Sequence, residues 1–202
     1  SMWSKKPMPV WIDADPAVGQ PDRDVDDGLA LLMAFHSPEL AIRGVSVVFG
    51  NTDLEHAAPI AREIVSRFGP AGLGVFDGAA SADQLGRETP AVAALAAALE
   101  REPLVILALG PATNVATLVR LRPDLVPRIT EIVAVAGRRP GTRLTTGTTN
   151  PRGHRDFNLE QDPEAFRALL ASDAPITLVP FEISSQVWFE AEQVERLAEG
   201  SE

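Results

Sequence analysis

The sequence contains no cysteine, and its only two lysines are Lys5 and Lys6. The lack of cysteine excludes disulfides, thiol nucleophiles and thiolate metal sites. The lack of a later lysine argues against chemistry that needs one, such as a Schiff base or the phosphate clamp of a P-loop. No apolar run approaches the roughly 20 residues of a membrane helix, and residues 1–7 have no apolar signal core. We therefore expect a cytoplasmic protein with no membrane partner.

Basic residues are also scarce relative to acidic ones. The chain has 18 Lys and Arg residues against 28 Asp and Glu, which gives a net charge of −10 at pH 7. Such a balance is the opposite of the basic surface that binds nucleic acid, so no nucleic-acid partner is expected. With 202 residues, of which 45% are hydrophobic, the sequence predicts a single globular domain over 1–202.

Short apolar runs alternate along the chain with longer stretches of helical character. The runs that predict strands are 10–15, 42–49, 73–76, 104–109, 129–136 and 176–183. The stretches that predict helices are 27–36, 54–68, 90–100, 113–121 and 163–170. Near-continuous apolar strands that alternate with helices are typical of a mostly parallel sheet with helices on both faces. We therefore expect a Rossmann-like α/β fold that binds ligands at the carboxyl ends of its strands.

Four aspartates surround the junction between the first predicted strand and the first predicted helix. Asp13 and Asp15 end the strand, and Asp26 and Asp27 begin the helix. A helix N-terminus stabilises a nearby carboxylate by about 0.3–1 kcal/mol, which does not account for four acids together. Clustered carboxylates repel one another unless a cation holds them, and oxygen ligands without His or Cys select Ca²⁺ or Mg²⁺. The pattern predicts a metal site; the competing interpretation is a helix cap with solvated loop acids.

Five blocks of sequence then follow one another in a fixed order. They are DADP at 13–16 with DDGLAL at 26–31, VVFGNT at 47–52, ILALGPATN at 106–114, a stretch with Asn150, DFN at 156–158 and DPEA at 162–165, and PITLVPFEIS at 175–184. Together they resemble the inosine–uridine-preferring nucleoside hydrolases, whose signature is Asp-x-Asp-Pro-Gly-x-Asp-Asp. In this chain residues 18–25 lengthen the loop inside that signature.

The resemblance implies a calcium-dependent enzyme of purine and pyrimidine salvage that hydrolyses the N-glycosidic bond of ribonucleosides to free base and ribose. It implies Ca²⁺ bound by Asp15, Asp27 and the backbone carbonyl of Leu109. Asp15 would also act as the catalytic base, because a Ca²⁺-bound water is only weakly acidified. Asp13 would support the metal-binding residues without binding the metal itself. The implied substrate-binding residues are Asp26, Asn51, Asn150, Asp156 and Asn158. The resemblance also suggests a homo-oligomer, either a dimer or a tetramer.

Simpler interpretations exist for several of these residues. Asn51 follows a glycine and suits a turn, and Asn150 precedes a proline in the loop 137–155. Thr113 and Asn114 are interpreted as the cap region of the next helix. His154 lies in the same arginine-rich loop, where an acid near the cleft competes with an exposed or salt-bridged histidine.

The chain also departs from the family pattern. Asp156 replaces a glutamate and is one methylene shorter, and Glu182 stands where a strand usually carries an aspartate. The family continues into a region with a His–Asp pair, whereas no histidine follows His154 here. Three explanations are open: a truncated sequence, a ligand supplied by a partner subunit, or a catalytically weak or inactive relative that binds metal and ribose-like ligands.

A different class of enzyme is also suggested by Asp13-x-Asp15 after an apolar strand. Mg²⁺-dependent aspartyl-phosphate phosphatases share this arrangement. They require Thr or Val two residues after the second aspartate and a lysine later in the chain. Here Ala17 occupies that position and no later lysine exists, so the sequence disfavours this class.

Overall fold

The computed structural model of the protein describes residues 6–17, 26–50, 52–136 and 161–180, with only the backbone of Asp26, Asp27, Ala136 and Pro180. The strands of this part are β1 (Met8–Ala14), β2 (Leu40–Val47), β3 (Val75–Asp77), β4 (Leu104–Ala108), β5 (Ile129–Ala136) and β6 (Ile176–Pro180). The α-helices are α1 (Asp26–Phe35), α2 (Leu54–Phe68), α3 (Pro90–Arg101), α4 (Thr113–Leu121) and α5 (Pro163–Ala171). Two short 3₁₀ helices, Ala82–Gln84 and Pro123–Arg128, complete the described elements.

The six strands form one parallel sheet in the order β3-β2-β1-β4-β5-β6. The chain moves outward from β1 to β3, returns to the other side of β1, and then continues outward to β6. The strand order therefore reverses between β1 and β4. Asp13 of β1 lies opposite Ala108 of β4 in the register, so both strands end at the same level. In open α/β sheets the crevice for ligands opens at such a reversal point.

The sheet is covered on both faces because its strands alternate apolar residues toward each side. Trp11, Ile106 and Ile132 pack in one buried cluster with residues of α3, α4 and α5. Ile12 and Val105 pack in a second cluster with residues of α1 and α2. The prediction of a mostly parallel sheet with helices on both faces is thus confirmed for the described residues.

Local sequence explains where three helices begin. Asp53, Thr89 and Asp162 precede α2, α3 and α5, and each side chain accepts a hydrogen bond from a backbone N–H in the first turn. Pro90 and Pro163 occupy the first helical position, where no intrahelical N–H is needed. Within the described ranges, no helix has the length and apolar character needed to cross a membrane.

Candidate functional site at the strand reversal

Asp15 lies directly after β1, at the point where the strand order reverses, and it is fully buried. The neighbouring backbones hold the strand ends together: Leu109 N donates to Asp13 O at 2.8 Å, and Val48 N donates to Ala14 O at 3.0 Å. The loops after β1, β2 and β4 therefore meet around one aspartate. Sequence reasoning placed Asp15 and Leu109 in the metal site, and the structure brings both to this edge of the sheet.

Two glycines, Gly50 and Gly110, pack against the carboxylate of Asp15. A Cβ at Gly50 would lie 1.9 Å from Asp15 Oδ2. A Cβ at Gly110 would lie 3.0 Å from Asp15 Cγ and 2.9 Å from Val48 Cγ1. Any larger residue at Gly50 would collide with the carboxylate, since real Cβ atoms do not approach so closely. The glycines after β2 and β4 thus allow two loops to close on Asp15.

Two residues before Asp15, the side chain of Asp13 is bound by uncharged hydrogen-bond donors. Its Oδ1 accepts hydrogen bonds from Ser46 Oγ at 2.5 Å and from Asn114 Nδ2 at 2.8 Å. Ser46 Oγ in turn accepts from Trp11 Nε1 at 2.9 Å. Since Asp13 is fully buried, these partners offset part of the cost of removing its carboxylate from water. The network fixes the orientation of the carboxylate at the end of β1.

Asn114 has a larger role than the sequence suggested. Its Nδ2 also donates to Val47 O at 3.1 Å, and its Oδ1 accepts from Ala79 N at 2.8 Å. Ala112 occupies the N-cap position of α4 and makes no side-chain cap. Asn114 lies in the first turn of α4, as the sequence predicted, but its amide does not cap that helix: it joins the ends of β1 and β2 to the loop after β3. Gly78 allows this contact, because a Cβ there would lie 2.2 Å from Asn114 Nδ2.

Thr113 is the first residue of α4, in the cap region to which the sequence assigned it, but its hydroxyl bonds outside that helix. Its Oγ1 donates to Asp162 Oδ2 at 2.6 Å, while Asp162 Oδ1 accepts from Ala165 N at 2.9 Å. Asp162 is 2% exposed, so this buried aspartate both caps α5 and ties that helix to α4. Polar residues at buried helix starts are a signal for such contacts, but their partners are 49 residues apart in the chain.

Gln161 is a residue that the sequence analysis did not single out. Its Nε2 donates to Gly50 O at 3.0 Å, so it contacts the same loop that closes on Asp15. A lone glutamine before a helix cap carries no recognisable signal in the sequence. Only the approach of α5 to the loop after β2 makes this residue part of the site.

The remaining predicted residues are described incompletely. Asp26 and Asp27 form the first two residues of α1, and their side chains lie outside the described part. The other predicted substrate-binding residues, which are Asn51, Asn150, Asp156 and Asn158, lie wholly outside the described part. His154 and Glu182 lie outside it as well.

The donor atoms at this edge are of the type that a hard cation prefers. Asp15 contributes carboxylate oxygens, and Leu109 follows β4 at the same edge with a backbone carbonyl. Ca²⁺ takes carboxylate and backbone carbonyl oxygens together, without soft ligands. Among the described side chains, no three His, Asp or Glu residues cluster as a metal site.

Comparisons with known proteins agree with this geometry. The chain is similar to the non-specific ribonucleoside hydrolase RihC of Escherichia fergusonii, with 26% identity over 89% of this chain and 63% of that protein. It is 27% identical to probable uridine nucleosidase 1 of Oryza sativa subsp. japonica, over 91% of this chain and 63% of the relative. The solved structure of the plant nucleoside hydrolase PpNRh1 matches with a TM-score of 0.70 and 26% identity, over 89% of this chain and 62% of that one.

The chain thus spans slightly less than two thirds of the length of these relatives. A sequence profile of one family, described as inosine-uridine preferring nucleoside hydrolase, matches residues 10–202. This match covers nearly the whole chain and confirms the resemblance drawn from the five sequence blocks. The chain therefore belongs to the inosine-uridine preferring nucleoside hydrolase family.

Proposed function

We propose that the protein hydrolyses the N-glycosidic bond of ribonucleosides with water, in a reaction that depends on Ca²⁺. The observation that carries this proposal is the buried Asp15 at the strand reversal, walled by Gly50 and Gly110. Glycines beside a carboxylate in a ligand crevice let the backbone, and hence a bound ligand, come close to the carboxylate oxygens. Family membership supplies the reaction class.

The chemistry requires three things of the site. Glycosidic cleavage passes through an oxocarbenium-like sugar, so the site must hold the sugar, stabilise positive charge and deliver water. Asp15 accepts the proton of the attacking water and contributes negative charge beside the reacting carbon. The buried hydrogen bonds of Asp13 keep the end of β1 in place while this happens.

Asp15, Asp27 and the Leu109 carbonyl are the residues proposed to hold the cation. Ca²⁺, when bound, supplies coordination positions for water and sugar hydroxyls, because it takes six to eight oxygen ligands. Two carboxylates and a carbonyl leave several of these positions for the substrate.

The proposed substrate-binding residues are Asp26, Asn51, Asn150, Asp156 and Asn158. Their carboxylates and amides suit sugar hydroxyls, which both donate and accept hydrogen bonds. Chain connectivity supports two of them. Asn51 directly follows Gly50, and Asn158 precedes Gln161 by three residues, which span at most about 11 Å. Both are therefore covalently close to residues that contact the Asp15 loop.

The test is base release from inosine and uridine, measured with Ca²⁺ and after its removal by a chelator. Asp15→Asn removes the base while keeping the shape of the side chain, so we expect a loss of about 100- to 10,000-fold in kcat. The exposed Asp83→Asn is the matched control and keeps full activity. Retention of most activity in Asp15→Asn, or activity indifferent to Ca²⁺, would contradict the proposal.

A catalytically weak or inactive relative that binds metal and ribose-like ligands is the second candidate, because Asp156 is one methylene shorter than the glutamate of the family pattern. Under this alternative, Ca²⁺ and ribose raise the melting temperature, since a ligand that binds only the native state stabilises it, but no base is released. The expected homo-oligomer, the cytoplasmic location and the role in salvage stay predictions.

A further inference from the structure

The side chain of Gln161 contacts the candidate site through one end of its amide. Its Nε2 donates to Gly50 O at 3.0 Å. A backbone carbonyl only accepts hydrogen bonds, so the nitrogen of the amide must face Gly50 and the oxygen must face away from it. The orientation of the Gln161 amide is thus determined by its partner.

The backbone beside Gln161 is held firmly. The next residue, Asp162, accepts from Thr113 Oγ1 of α4 and from Ala165 N of α5. Because Asp162 is buried and bound to two helices, the Cα of Gln161 has little freedom relative to the sheet. An amide that starts from such a position and ends on Gly50 is pre-organised, which lowers the entropy cost of binding a ligand.

The oxygen of the same amide is buried and has no hydrogen-bond partner among the residues that the structure describes. Buried acceptors are rarely left unsatisfied, and each such atom in a native structure calls for an explanation. Gly50 also touches Asp15, which places Gln161 Nε2 within about 9 Å of Asp15 Oδ2 by standard bond lengths. A bound furanose could therefore contact both groups through hydrogen bonds from its hydroxyls.

We propose that Gln161 is a substrate-binding residue: its Nε2 holds the Gly50 loop against Asp15, and its Oε1 accepts a hydrogen bond from a hydroxyl of the bound ribose. This assignment rests on the proposed function, since it concerns the same crevice and the same class of ligand. In this proposal the amide nitrogen of Gln161 binds the loop and the amide oxygen binds the substrate.

The experiment compares Gln161→Met with the unmodified chain on four substrates: a ribonucleoside and its 2′-, 3′- and 5′-deoxy analogues. Methionine keeps the length of the side chain but has no strong hydrogen-bonding group. We expect kcat/KM for the ribonucleoside to fall about 3- to 10-fold, the typical effect of one neutral hydrogen bond. With the analogue that lacks the partner hydroxyl, Gln161→Met removes only the loop contact. The fall in kcat/KM caused by the substitution should therefore be smaller with this analogue than with the ribonucleoside.

Gln161→Glu is a second comparison: it keeps an acceptor oxygen, loses the donor to Gly50 and adds a negative charge. This variant should retain the preference for the partner hydroxyl while losing some activity on all four substrates. Gln84→Met is the matched control, because Gln84 Oε1 already accepts from Ala80 N at 2.7 Å. We expect it to change all four substrates equally. Thermal melting of each variant verifies that it is folded.

An equal loss on all four substrates in Gln161→Met would assign the residue to the loop alone and overturn the ribose contact. No loss at all would overturn both halves of the proposal. If the unmodified chain releases no base, the same four nucleosides are compared by the rise in melting temperature that they cause. Binding without cleavage then refutes the proposed hydrolysis but still tests Gln161, whereas the lack of any binding overturns both.

Discussion

Two buried aspartates near the carboxyl ends of the central strands, Asp13 and Asp162, are held quite differently from the exposed acids near the amino ends. At the carboxyl edge Asp13 and Asp162 are buried and accept hydrogen bonds from Ser46, Asn114 and Thr113, all of them neutral. These contacts join elements that are 33 to 101 residues apart in the chain. The carboxyl edge is therefore organised by long-range, buried polar contacts.

Near the amino ends of the strands the acids are solvent-exposed and paired with arginine. Glu102 accepts from Arg43 at 2.5 Å, and Asp124 and Glu100 accept from Arg122 at 2.9 Å. Their side chains are about a third or more exposed, and exposed ion pairs of this kind contribute little to stability because water and salt screen them. The hydrogen bonds that Arg122 donates to Asp124 and Glu100 hold the pKa of its guanidinium above the ordinary value.

This contrast suggests different roles for the exposed acids paired with arginine and for the buried acids bound by neutral donors. Exposed ion pairs can be replaced with little loss, and they add solubility to an acidic surface. Buried carboxylates cost free energy to desolvate, and a protein retains them where their negative charge is needed. The carboxyl edge is accordingly where the functional chemistry is proposed, and three substitutions test whether the two edges differ as described.

The largest effect is expected from Asn114→Leu. Leucine has a similar volume, but it leaves Ala79 N without its partner and removes one donor each from Asp13 and from Val47 O, which keeps only Gly78 N. Buried groups left in this way cost about 1–3 kcal/mol each, so the free energy of unfolding should fall by about 3 kcal/mol or more. Urea denaturation measures this change.

The control is Thr117→Val on the same helix, where one hydroxyl donates to Thr113 O and accepts from Gly86 N. It should cost about 1 kcal/mol. If the two variants lose the same stability, the contacts around Asp13 are not what organises the carboxyl edge.

A second test is Gly50→Ala, whose new Cβ would lie 1.9 Å from Asp15 Oδ2. Either the carboxylate or the loop after β2 must move, and a displacement of about 1 Å at a reacting group lowers the rate by about 100-fold. Base release and the rise in melting temperature with Ca²⁺ should both decrease.

Gly72→Ala serves as its control, because Gly72 has φ of +77° but nothing within 4 Å of a new Cβ. This change should cost about 1 kcal/mol of stability through backbone strain and leave base release intact. Equal activity of the two alanine variants would show that the glycine at position 50 is not needed to accommodate Asp15.

The smallest effect is expected from Asp124→Asn at the amino edge. The hydrogen bond from Arg122 lowers the pKa of Asp124 below its ordinary value of 3.8. A carboxyl group with a depressed pKa in the folded state stabilises the protein above its unfolded pKa, and this contribution is lost as the pH falls through the folded value. The variant should therefore be slightly less stable from pH 7 down to about 5, and the difference should shrink only below 3.8.

Urea denaturation at several pH values measures this trend, with the exposed Asp83→Asn as control. A loss of stability as large as that of Asn114→Leu would erase the contrast between the two edges.

Most of the secondary structure could be predicted from local features. Five of the six strands and all five helices begin and end within two residues of their predicted positions, because apolar runs, N-cap side chains and prolines act over a few residues. The strand β6 begins at its predicted residue, and its predicted end at 183 lies outside the described residues. The two 3₁₀ helices were missed, since such short turns have no distinct periodicity. The family could also be recognised, because its blocks are contiguous stretches of sequence.

The sequence by itself determined the alternation of strands and helices, the parallel sheet and the acidic end of the first strand, since each follows from patterns within a few neighbouring residues. Only the tertiary structure decided that β4 lies beside β1, and hence that Gly110 reaches Asp15. It also decided that Asn114, Thr113 and Gln161 hydrogen-bond to distant parts of the chain. Their partners are 35 to 111 residues away, and contacts over such separations depend on the packing of the whole sheet and its helices.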